Sequence, residues 1–97
     1  MRRLHLQSIA DAELAEAFEW DRTRSPKTAR TFLAAVDTTL ARVRETPEQF
    51  PVAKGQLRRA LVPRFPYADF FVPSADVVRV VGIIHGKRHP RRWLRRG

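Results

Sequence analysis

The sequence predicts an α+β domain: an N-terminal strand and a two-helix antiparallel hairpin packed on a mainly antiparallel sheet completed by three C-terminal strands, with a basic C-terminal tail. Three observations predict it. Apolar residues recur at helical spacing through the first half, Ser25-Pro26 divides that pattern in two, and β-branched runs separated by short connections fill the second half. Helices with one apolar face must be covered, and a sheet is the flat layer that can do it.

Residues 3–7 alternate, with Leu4 and Leu6 against Arg3, His5 and Gln7, which is the pattern of a half-buried strand. Ser8 with Asp11 three residues on offers a capping-box-like start, Asp standing where Glu or Gln is usual. Ala10, Leu14, Ala17 and Phe18 then form an apolar stripe, with Asp21 continuing the spacing, so a first helix is expected to end near Arg24. Ser25 can cap a second helix whose first position, Pro26, lacks the N–H that would be orphaned there. Ala29, Phe32, Leu33, Val36, Leu40 and Val43 mark its buried face, and Pro47 ends it by disfavouring helix at Thr46.

Pro47, Pro51 and Gly55 predict an irregular crossing, followed by strands over 58–62, 67–72 and 77–84. Pro63 and Pro66 bracket the first connection, and Pro73-Ser74-Ala75-Asp76 makes a turn that returns the chain antiparallel. The run from Val77 to Ile84 is nearly all β-branched, as a central strand buried on both faces would be.

The chain is 97 residues long, which predicts one domain over 1–97 with a thin core. It has no cysteine, so disulfides, a thiol nucleophile and thiolate metal ligation are all excluded, and a reducing cytoplasm is expected. His5, His85 and His89 lack acidic companions at ligand spacing, so neither a metal nor a cofactor is expected. No apolar run approaches the roughly 20 residues of a membrane span, and none has signal-peptide length at the basic N-terminus.

Charge is unevenly spread. Lys/Arg and Asp/Glu cancel within residues 1–50, so the whole formal net charge of +9 falls on 51–97, where only Asp69 and Asp76 oppose it. Such a field calls for counter-charge from a nucleic acid or an acidic protein segment, unless it serves only to solubilise the surface.

The pieces also resemble, in order, the ParE-like members of the RelE/ParE superfamily of toxins, often described as plasmid-stabilisation proteins. The residues that carry the likeness are Ala10-Asp11-Ala12-Glu13-Leu14 at the first helix, Thr46-Pro47-Glu48-Gln49-Phe50-Pro51 after the second, Arg58-Arg59-Ala60-Leu61-Val62 with Phe65-Pro66-Tyr67, and an ending met by His85, Arg88, Pro90 and Trp93. The resemblance implies the toxin of a type II toxin–antitoxin system. Such a toxin arrests growth by poisoning DNA gyrase or by cutting mRNA on the ribosome, and a cognate antitoxin holds it neutral in a hetero-oligomer. An acidic antitoxin arm would suit this basic half. Where the family continues Phe-Pro-Tyr with an aliphatic residue this chain departs, placing Asp69 before Phe70-Phe71, with Pro73 expected to cut the strand short. Asp69 must pair with an arginine such as Arg79 or Arg64, or face water.

For target or antitoxin binding, the candidates are Arg58, Arg59, Arg64, Arg79, Lys87 and Arg88, with Arg91, Arg92, Trp93, Arg95 and Arg96 on the tail. If the chain is instead a metal-independent ribonuclease, it needs a base for the 2′-hydroxyl, cations for the phosphorane and an acid for the leaving oxygen. His85, Arg88, Arg64, Arg79 and Tyr67 could fill those roles. His89 is a further acid–base candidate, but no such group follows it, whereas nucleases of the family typically end on one. His85 could equally be a strand-end residue bonded to backbone, and Trp93 either a base-stacking platform or a pin for the tail. The tail is expected to be removable without loss of fold. A plain nucleic-acid-binding module and a degraded toxin retained only to bind its antitoxin are the other classes left open. The first lacks a recognition helix, since both helices are charge-balanced.

Overall fold

The computed structural model describes residues 2–97. The chain runs through β1 (Arg3–Leu6), α1 (Ser8–Arg24), α2 (Pro26–Glu45), a 3-10 turn (Pro47–Gln49), β2 (Val52–Lys54), β3 (Leu57–Leu61), β4 (Tyr67–Pro73) and β5 (Val77–His85). The five strands form one sheet in the order β1-β5-β4-β3-β2, with β1 parallel to β5 and every other pair antiparallel. This is the predicted α+β arrangement, with one more strand than the sequence suggested. Val52–Lys54 pairs with β3 inside the expected irregular crossing, and Gly55 at φ +58 supplies the left-handed residue that turns one strand into the other.

The hairpin forms where expected. Ser25 is extended, its hydroxyl accepts from the Thr28 N–H at 3.2 Å, and Pro26 opens α2. At the start of α1 the expectation fails: Gln7 occupies the cap, no side chain bonds there, and Ser8 is already helical. Gln7 is held in place by pairing, since its N–H donates to Val80 O at 3.0 Å while its own carbonyl accepts from Asp11 N, so the strand sets the helix start.

Helices and sheet enclose a core of Phe32, Val36, Val43, Phe71, Val78, Val80 and Ile83. The Phe32 ring lies 4.9 Å from Tyr67 and 5.3 Å from Phe65, close enough for edge contacts that add about 0.5–1.5 kcal/mol each to area burial. Two expectations about β4 are overturned. Pro73 does not shorten it but takes the last paired position, opposite Val78 at the strand end. Asp69 neither pairs with Arg79 or Arg64 nor meets water: it is 0% exposed, and both carboxylate oxygens lack a hydrogen-bond partner. Alternation explains this, because Asp69 lies between Tyr67 and Phe71 and is paired with Ala60 and Ile83, all helix-side core residues. Burial alone pushes its carboxyl up to about 8, so it is largely protonated at neutral pH.

The second face of the sheet carries Leu57, Ala68, Phe70, Val72, Val81 and Ile84. No helix covers it. The segment after β5 folds back over it, and the Trp93 ring stacks on Phe70 at 5.2 Å and 13°. Trp93 therefore takes the pin role, one of the two expected of it, and ties the tail to the sheet by that contact.

Candidate interaction surface

A groove of about 610 Å³ opens where the end of β3, the start of β4 and the folded-back tail meet. One side is built by Arg59, Leu61, Pro63, Arg64 and Pro66, the other by Lys87, His89, Pro90 and Trp93, with Phe70 and Ile84 in its floor. Leu61 is 69% exposed, an unusual state for an apolar strand residue and the most exposed large apolar side chain of the described residues. Two residues before it, the Arg59 N–H donates outward to Pro51 O at 3.0 Å, just ahead of the start of β2, so alternation leaves the backbone of Leu61 at the open sheet edge. Apolar floor, basic rim and free edge thus coincide. Arg64 holds φ 70, a left-handed conformation that a Gly or Asn would adopt at less cost.

The cations expected to bind a partner divide by use. Among the described residues Arg59, Arg64, Lys87, Arg91 and Arg95 are exposed and pair with no carboxylate. Arg58 is turned inward, its guanidinium donating to Phe50 O at 2.6 Å and Glu48 O at 3.2 Å. Arg79 is on the sheet opposite His5 and Val72, away from the groove. Arg92 and Arg96 bind Glu13 of α1, at 3.3 and 2.6 Å. Glu13 itself was missed as a site residue, although Ala10, Glu13 and Ala17 recur at i, i+3 and i+7 and are the buried residues of α1.

The acid–base candidates only partly assemble. Tyr67 and His85 pair across β4 and β5 with ring centroids 5.1 Å apart, and Arg88 donates to the Tyr67 hydroxyl. The same guanidinium lies 4.1 Å over the ring of Trp20, a residue 46% exposed that sequence reasoning also passed over. His85 Nδ1 accepts from the N–H groups of Lys87 at 3.0 Å and Arg88 at 2.8 Å, which fixes it as an acceptor. Desolvation first, then Arg88, His89 and Lys87, hold the His85 pKa below its usual value, while burial raises that of Tyr67 despite Arg88. Arg64 and Arg79 do not join this cluster by any hydrogen bond. Among the described residues no group of three His, Cys, Asp or Glu is placed to hold a metal, and no helix is long and apolar enough to cross a membrane.

No family model and no curated protein matches the chain by sequence. By structure it is similar to a chain of the "Chromosomal ParDE TA system from P. aeruginosa", with a TM-score of 0.77 at 16% identity over 88% of this chain and 96% of that one. With its two helices packed on a five-stranded, mostly antiparallel sheet that includes the N-terminal strand, the chain has a RelE/ParE-like fold.

Proposed function

We propose that the protein is the toxin of a type II toxin–antitoxin module, neutralised by an antitoxin whose arm carries acids and apolar anchors and lies in the basic-rimmed groove. The observation that carries this reading is the meeting of unpaired Arg59, Arg64 and Lys87 with exposed Leu61 and the open β3 edge, on a fold shared with a chain of a ParDE TA system. An extended arm would add backbone bonds at that edge and place apolar side chains on the floor. Arg64 kept in a left-handed backbone supports use of its side chain there. Expression of the chain alone in bacteria tests the proposal. Growth should stop and resume when the adjacent antitoxin gene is co-expressed; unimpaired growth at verified soluble expression would refute it.

For the target, DNA gyrase is favoured over mRNA. Tyr67 is bonded to Arg88, the Arg88 guanidinium is stacked on Trp20, and His85 Nδ1 is committed to backbone, so these acid–base candidates are engaged with one another and with the main chain rather than arrayed round a phosphate site. A docking poison needs no proton transfer. His85→Ala should therefore leave toxicity within a few-fold, with gyrase–DNA breaks accumulating in expressing cells. A loss of the ~10²–10⁴-fold size expected for a general acid or base, accompanied by ribosome-associated mRNA cleavage, would replace this reading with the nuclease one.

A further inference from the structure

β1 covers the edge of β5 only as far as Val80, where the Gln7 N–H makes the last bond. Beyond it the edge has no strand, and two side chains stand in for one. Glu13 Oε1 accepts from the Ile83 N–H at 3.1 Å, and Arg96 Nη1 donates to Val81 O at 3.1 Å. The same Arg96 nitrogen is 2.6 Å from Glu13 Oε1, and Arg92 reaches Glu13 Oε2 at 3.3 Å. Glu13 is 6% exposed and Arg96 14%, so these bonds are sheltered from solvent screening. Gly82 leaves room for Ile84 and Arg96: a Cβ there would come within 2.8 Å of Ile84 Cδ1 and 2.9 Å of Arg96 Nη1.

We propose that residues 86–97 are a strap across the second face of the sheet and that Glu13 on α1 is its latch. Glu13 is a positioning residue. It does not line the groove, but through Arg92 and Arg96 it holds the segment that supplies Lys87, His89 and Trp93 to one wall. When the latch opens, Trp93 leaves Phe70, Val81 O loses its Arg96 donor, and the groove loses that wall. A partner that needs the groove binds only the closed form and so stabilises the latch. That last step rests on the groove being the antitoxin site; the latch itself does not.

Limited trypsin digestion of the purified full chain reads the latch, because Arg91, Arg92, Arg95 and Arg96 are cleavage sites within the strap. Glu13→Gln keeps an acceptor for Ile83 but removes the charge, Arg96→Leu leaves the Glu13–Ile83 bond in place, and Gly82→Ala obstructs the guanidinium with no change of charge. Each should speed tail cleavage about 10-fold or more, since cleavage tracks the open population, with far-UV circular dichroism unchanged. Wild-type cleavage rates in Glu13→Gln and Arg96→Leu would overturn the proposal. If Glu13→Gln does not fold, Arg96→Leu decides by the same readout. With the cognate antitoxin present, wild-type tail cleavage should slow and Arg96→Leu should weaken binding. A strap that opens with antitoxin affinity unchanged confirms the latch and removes the groove as the antitoxin site.

Discussion

A carboxyl buried without a partner ties stability to pH. Asp69 is fully enclosed, and its raised pKa, about 8 against 3.8, means the folded state holds a proton that the unfolded chain releases. The stability associated with that proton is fully present below the unfolded value and is lost as pH rises toward about 8. Thermal unfolding should therefore show a midpoint that falls between pH 5 and 8, and Asp69→Asn should flatten this slope. His85, with its depressed pKa, contributes in the opposite sense as pH falls below its usual value, but it is common to both proteins and cancels in their difference. Asp69→Leu removes an unsatisfied polar group and should raise stability by about 1–3 kcal/mol if the core accepts the volume. An unchanged slope in Asp69→Asn would mean that the carboxyl is solvated after all. The residue was conspicuous in the sequence as an acid within a strand. Its environment was not, because an acid in a strand is ordinarily paired or turned to water. The alternation of Tyr67, Asp69 and Phe71 already placed all three on one face, and only the choice of face was missing.

At the level of elements, what could be read from the sequence was whatever is set by local chemistry. Ser25-Pro26 specified the hairpin because the cap and the missing N–H act within one turn, and Ser25→Ala should cost about 1 kcal/mol in a urea titration. A change below about 0.3 kcal/mol would show that the pairing of the helices, and not the cap, fixes the break. β5 was legible from its β-branched run. β2 was not, since three residues carry too little periodicity, and its existence depends on β3 offering an edge. The start of α1 was misread for the same reason: the bond from Gln7 to Val80 spans most of the chain and leaves no local mark. The ending was legible in part, since a pin was one of the two readings of Trp93. A cluster of arginines looks like a solvated arm, yet Arg96 is held by Glu13, Arg92 by Glu13 and Glu16, and Trp93 by Phe70. The stripe of Ala10, Glu13 and Ala17 was the available signal that this glutamate faces inward.

For the whole molecule, the division of the cations decides which part of the +9 charge is free to act on a partner. Arg92 and Arg96 are partly neutralised by Glu13, and Arg58 is turned inward onto backbone carbonyls, so the external field over the groove comes chiefly from Arg59, Arg64 and Lys87. Charges on a rim raise the rate of encounter with an acidic partner and do less for the lifetime of the complex. Replacing Arg59, Arg64 and Lys87 together by Gln should accordingly slow association with the antitoxin by about 10-fold at low ionic strength, with a dissociation rate changed only a few-fold, as stopped-flow mixing would resolve. Raising the salt should shrink the difference between the two proteins, because the interaction extends only about a Debye length, roughly 8 Å at physiological ionic strength. Arg96→Leu should do the reverse, leaving the encounter rate nearly intact while the complex dissociates faster, since it disturbs a groove wall and not the rim. Equal slowing of association by both changes would mean that the rim charges are not distinguished from the strap charges, and the partition read from Glu13 would fail.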